Sequence, residues 1–126
     1  MDNDKQTECL RYDARAEYLL AEGISSVDIV KVPGSMQIAP AYRAPYIHYE
    51  ECIHRHITKD HDVLELGSGT GLHTYALTQT GARVVASDIS SHSLEVLLRR
   101  IGEQVKTRIV DMEALPFEAD SFDVVA

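Results

Sequence analysis

Seven consecutive residues, Glu65-Leu66-Gly67-Ser68-Gly69-Thr70-Gly71, constrain this chain more than any other feature. They lie between an apolar run, Asp62 to Leu66, and a segment from Leu72 to Thr80 that reads as a helix stopped by Gly81. A buried strand that turns on glycine directly into a helix is the opening unit of a parallel α/β sheet. Gly67 lets the chain leave the strand with no Cβ to clash. Gly69 lets a ligand lie against the backbone, and Gly71 lets the helix start close to the sheet. The turn also aims free backbone N–H groups at whatever lies above the strand ends.

The alternation continues downstream. Arg83 to Ser87 is a second strand of small and β-branched residues. Ser90 is placed to cap the next helix, in which Leu94, Leu97, Leu98 and Ile101 recur at helical spacing. Val105 to Val110 reads as a third strand, and Phe122 to Ala126 begins a fourth. Residues 61–126 are therefore expected to form an α/β domain, a Rossmann-like parallel sheet wrapped by helices and truncated after the start of its fourth strand. Residues 1–60 read as an N-terminal helical cap. Thr7 is the expected N-cap, with Glu8 in the first turn, Leu10, Ala14 and Tyr18 on one face, and Gly23 as the stop. An apolar run follows from Val27 to Val32, and Pro33, Pro40 and Pro45 argue against regular structure between 33 and 45. A second helix from Tyr46 to Thr58 places Tyr46, Tyr49, Ile53 and Ile57 on one face.

Asp88 falls at the end of the second strand, 88 − 67 = 21 residues after Gly67. An acidic side chain there can accept hydrogen bonds from two ribose hydroxyls, or it can cap the following helix. Asp111 ends the third strand, so glycines and carboxylates at three neighbouring strand ends would line one crevice. The glycines run G-x-G-x-G rather than G-x-G-x-x-G, and Glu65 stands two residues before the first. A carboxylate there repels a pyrophosphate and suits a ligand with a cationic part. S-adenosylmethionine, with an ammonium and a sulfonium, fits that requirement.

Val63 to Gly71 closely resembles the first motif of class I S-adenosylmethionine-dependent methyltransferases, and Ser87-Asp88-Ile89-Ser90 resembles their second. Asp111-Met112-Glu113-Ala114-Leu115-Pro116-Phe117, followed by Ser121-Phe122-Asp123-Val124-Val125, resembles the third and fourth. That pairing is similar to the small-molecule branch containing the ubiquinone and menaquinone methyltransferases. The resemblance spans about Asp62 to Ala126. It implies that Gly67, Ser68, Gly69 and Gly71 form the loop under the methionine part of the cofactor, with Glu65 organising the loop and the amino group. Asp88 would hold the ribose hydroxyls, Ile89 would pack on adenine, and Asp111 and the Met112 backbone would meet the adenine amino group. Core packing is the alternative for the Ile89 and Met112 side chains. No residue is singled out as a catalytic base.

Twenty acidic against twelve basic residues give a net charge of −8, which repels phosphate backbones and argues against a nucleic-acid partner. No apolar run reaches the ~20 residues of a membrane span, and the polar start is no secretory signal, so a cytoplasmic protein is expected. Arg99 and Arg100 read as favourable charge at a helix C-terminus. His48, Cys52 and His56 share a helix face but lack a fourth ligand, so no metal is expected. Tyr12 and Tyr18 could close over the cofactor, with core the preferred reading. The expected partner is a small-molecule methyl acceptor. The open edge at the fourth strand calls for a homo-oligomer or a further C-terminal segment to cover it. Two other readings stay in play: a nicotinamide-dinucleotide-binding domain, and a non-catalytic module that pairs with another chain.

Overall fold

Val63, Leu64 and Glu65 are all buried, and they place β1 (Asp62–Leu66) inside the sheet. The computed structural model describes residues 2–21 and 34–126. β1 pairs on one side with β2 (Arg83–Asp88), in a register that sets Asp62 opposite Arg83 and Leu66 opposite Ser87. β2 pairs in turn with β3 (Lys106–Ile109), and the other side of β1 pairs with β4 (Val124–Val125). All pairings are parallel and the order is β3-β2-β1-β4. The expected α/β class is therefore the observed one.

The helices are α1 (Asn3–Ala21), α2 (Arg43–His56), α3 (Thr74–Gln79) and α4 (Ser91–Ile101). One apolar cluster joins Ile53 of α2, Leu77 of α3 and Leu94, Leu97 and Ile101 of α4 to Val63, Val84 and Ala86 of the strands. Ile57 belongs to the same cluster, so the expected inner face of α2 is the inner face. The helix begins at Arg43, earlier than expected, because Pro45 falls in its first turn, where a missing N–H costs no helical bond. Ser90 caps α4 as expected, accepting from the Ser93 N–H at 3.0 Å. Leu98 departs from the expected apolar stripe and is exposed. β3 reaches β4 through residues 110–123 without a helix.

The first helix differs most from expectation. It starts at Asn3, and Asp2 supplies the cap, its carboxylate accepting from the Lys5 N–H at 2.9 Å. Thr7 lies inside the helix and donates to the Asn3 carbonyl at 2.9 Å. An acidic residue caps as well as threonine, so the sequence offers two starts. The expected apolar face is the outer one: Leu10 is 68% and Tyr18 61% exposed. Inward instead lie Lys5, Cys9 and Asp13, at i, i+4 and i+8, with Ala16 buried beyond them. The expected stop at Gly23, the apolar run Val27 to Val32 and Pro33 lie outside the described residues. The stretch expected to be irregular carries two short 3₁₀ turns, Gly34–Gln37 and Pro40–Tyr42.

Candidate functional site

The C-terminal ends of β1, β2 and β3 open into a cleft of about 380 Å³. The glycine turn forms its floor. Gly69 has φ +55°, and a Cβ built there meets no atom within 4 Å, so its open face points into free space. The Gly69 N–H donates to Asp88 Oδ2 at 2.8 Å, while Asp88 Oδ1 accepts from the Ser90 N–H at 2.9 Å. Asp88 thus ties the turn after β1 to the start of α4. A carboxylate carries about four lone-pair sites, so two remain for a ligand. The helix-cap and ligand readings of Asp88 are compatible within one side chain.

Gly71 has a different structural reason from the expected one. α3 starts only at Thr74, after a run of turn residues. Gly71 has φ +94°, and a Cβ there would lie 3.1 Å from Ile101 and 3.2 Å from Leu97. It is glycine because the turn presses against the last turn of α4. From that turn Arg100 reaches back, donating to the Thr70 carbonyl at 3.3 Å and to its hydroxyl at 3.2 Å.

Beneath the turn, Glu65 is buried and accepts from the Thr74 hydroxyl at 2.6 Å. Burial pushes its carboxyl up to about 7; the Thr74 bond opposes that shift and the nearby Asp88 charge adds to it. Tyr49 of α2 is raised as well, by burial and by Glu65. His73, at the start of α3, stacks on Tyr46 with centroids 5.6 Å apart and meets Tyr49 edge-on at 4.8 Å. Burial lowers its pKa against the opposing pull of Glu50. Ser68 is buried, and its hydroxyl has no hydrogen-bond partner among the described residues. A cleft with an open glycine face, and with carboxylates outnumbering the one lysine in its lining, fits a polar ligand bearing positive charge.

Of the nine residues singled out in the sequence, Gly67, Gly69, Asp88, Ile89, Asp111 and Met112 line the cleft together. Glu65, Ser68 and Gly71 lie beneath or behind it. Met112 is 58% exposed, which removes core packing as its explanation. Its Cε would stand 3.3 Å from a Cβ on Gly67. Tyr12 reaches the cleft while Tyr18 does not, and neither is core. Sequence reasoning missed Lys5 and Glu8, which line the cleft from α1. It also missed Asp13, which accepts from Ser90 Oγ and lies 3.0 Å from His92 Nδ1. The i, i+4, i+8 row of Lys5, Cys9 and Asp13 was the available signal. Among the described residues no group of His, Cys, Asp and Glu is arranged to hold a metal ion.

The model of the methyltransferase domain family matches residues 63–126. Over 65 residues the chain is 45% identical to the demethylmenaquinone methyltransferase of Clavibacter sepedonicus, covering 50% of this chain and 26% of that protein. It is equally 45% identical, over 64 residues, to a cypemycin N-terminal methyltransferase from a Streptomyces species, with the same coverage of each. The chain thus spans about a quarter of the length of these relatives. Among solved structures, a DhpI–SAH complex superposes with a TM-score of 0.55 at 26% identity, over 96% of this chain and 51% of that one. Matched by its model over half its length, from inside β1 onward, the chain belongs to the methyltransferase domain family.

Proposed function

We propose that this chain carries the cofactor-binding half of an S-adenosylmethionine-dependent methyltransferase acting on a small-molecule acceptor. The observation that carries the reading is the open face of Gly69 beside Asp88 and Asp111, at three neighbouring strand ends. In this reading residues 61–126 are the cofactor-binding portion and residues 1–60 an N-terminal helical cap segment, of which α1 reaches the cleft. When bound, S-adenosylmethionine supplies a methyl group on a sulfonium for in-line displacement by an acceptor nucleophile.

The chain's own residues bind and orient. Gly67, Ser68, Gly69 and Gly71 shape the loop under the methionine part. Glu65, once ionised, supplies negative charge below an ammonium. Asp88 accepts from the ribose hydroxyls on the lone pairs that Gly69 and Ser90 leave open. Ile89 and Met112 flank the adenine, and Asp111 accepts from its amino group. Holding donor and acceptor in line supplies much of the rate in such a transfer, so no strong catalytic base is required.

The cleft's acidic side chains, Glu8, Asp88, Asp111 and Glu113, outnumber the one lysine in its lining, Lys5, which weighs against a dinucleotide pyrophosphate. The net charge of −8 favours a small acceptor over nucleic acid. The free thiols of Cys9 and Cys52 fit a reducing cytoplasm, and no helix among the described residues is long and apolar enough to cross a membrane. Calorimetric titration with S-adenosylhomocysteine, against NAD as control, tests the reading. Binding of the former that weakens at least about tenfold in Asp88→Asn is expected, from the loss of a charged acceptor. Binding of NAD instead would overturn it.

A further inference from the structure

α1 lines the cleft through Lys5, Glu8 and Tyr12, and polar contacts tie it there. Lys5 Nζ lies 2.8 Å from Asp111 Oδ2 and also pairs with Glu113. Cys9 Sγ stands 3.5 Å from the Ile89 carbonyl, and Asp13 takes the Ser90 hydroxyl. These partners lie just past β2 and β3, where the cleft opens. Ala16 is the only fully buried residue of the helix. Further along, α1 packs on α4, where Ala16 is buried, so the polar row fixes the N-terminal half of the helix at the cleft. Exposed ion pairs of that kind are weak, and salt or a competing ligand can release them.

The Lys5 contact falls on a group that the proposed cofactor needs. Asp111 Oδ1 already accepts from the Glu113 N–H at 2.9 Å, and Oδ2 is taken by Lys5. Lys5 holds the Asp111 carboxyl below its ordinary range, and Asp111 and Glu113 raise the Lys5 ammonium. The lysine and the carboxylate are therefore both charged near neutrality, and the ammonium occupies the adenine end of the cleft.

We propose that Lys5 is an ionic latch that holds α1 shut over the cleft, and that a ligand amino group must displace it from Asp111 to bind. This rests on the cofactor reading above for the ligand, but not for the latch. Cofactor entry is then limited by opening of α1, and rising salt should speed it. The latch also explains why α1 carries its polar row inward and leaves Leu10 and Tyr18 outside.

The test uses the full chain as wild type, Lys5→Met and Glu113→Gln. Glu113 is 71% exposed at its side chain, so the second variant loosens the latch while leaving Asp111 in place. Hydrogen exchange without ligand should show the α1 amides losing several-fold protection in both variants, with β1 and α4 unchanged. Stopped-flow mixing with S-adenosylhomocysteine should show association several-fold faster in both. Both variants should also lack the salt acceleration expected of wild type between about 50 mM and about 0.5 M. Unchanged α1 protection in both variants would overturn the latch, as would slower association, which would make Lys5 a binding group. Loosened α1 with no binding of S-adenosylhomocysteine to any form would uphold the latch and overturn the cofactor reading.

Discussion

Thr74 donates its hydroxyl to Glu65 Oε2 at 2.6 Å, and both side chains are buried under the glycine turn. A single neutral hydrogen bond offsets only part of the cost of burying a carboxylate, which is why Glu65 titrates near neutrality. Its carboxyl lies at about 7 in the folded protein against an ordinary 4.5. Between those values the native protein keeps a proton that the unfolded chain has released, so stability falls as pH rises from about 4.5 to about 7. Glu65→Gln removes that dependence. The variant should match wild type near pH 4.5 and exceed it above pH 7 by on the order of 3 kcal/mol. Urea unfolding at a series of pH values measures the difference. A gap that stays constant across the window would show that Glu65 is ordinarily acidic.

The same carboxyl links ligand binding to protons. A ligand ammonium above Glu65 favours its charged form, so binding below pH 7 should expel a proton from it. The heat of S-adenosylhomocysteine binding at about pH 6.5 should therefore vary with the ionisation enthalpy of the buffer. In Glu65→Gln that variation should vanish. Equal buffer dependence in the two proteins would assign the released proton to another group.

Gly69 and Gly71 look alike in sequence and differ in consequence. A Cβ at Gly71 meets Leu97 and Ile101 at 3.2 and 3.1 Å and stands at φ +94°. Gly71→Ala should destabilise the fold by about 2 kcal/mol, combining backbone strain with overpacking. A Cβ at Gly69 meets nothing within 4 Å at φ +55°. Gly69→Ala should cost only about 1 kcal/mol of stability yet weaken S-adenosylhomocysteine at least about tenfold, because the methyl fills ligand space. Thermal unfolding and calorimetry on the same samples separate the two. Equal loss of stability in both variants would remove the distinction.

Where local signals agree, the fold was legible. The glycine turn, the apolar β1 and the Ser90 cap each point to one structure, and six of the nine chosen residues line one cleft. Legibility fails where an element is not built on an apolar stripe. α1 docks by Lys5, Cys9 and Asp13, so reading its apolar residues as the inner face turned the helix inside out. Gly71 reads from sequence as the start of a helix, because a strand–turn–helix unit usually needs a glycine there. Its actual neighbour, α4, lies about thirty residues downstream, where local pattern carries no information.

Arg100 shows the same limit and gives a last prediction. Its position in the final turn of α4 suits the helix dipole, which explains a charge but not a guanidinium. In the structure it spans to Thr70 and holds the carbonyl and hydroxyl of a residue between two positive-φ glycines. Both bonds are long, and the side chain is half-buried, so their joint contribution is about 1 kcal/mol. Arg100→Ala should therefore weaken S-adenosylhomocysteine by about fivefold through a looser turn. Arg100→Lys should recover only part of this, since one ammonium replaces a planar fork. Arg99→Ala provides the control, because Arg99 pairs with Glu95 on its own helix and never meets the turn. The three variants should differ in the exchange rates of the amides from Gly67 to Gly71, fastest in Arg100→Ala. If Arg99→Ala and Arg100→Ala weaken binding alike, long-range charge rather than the Thr70 tether is responsible.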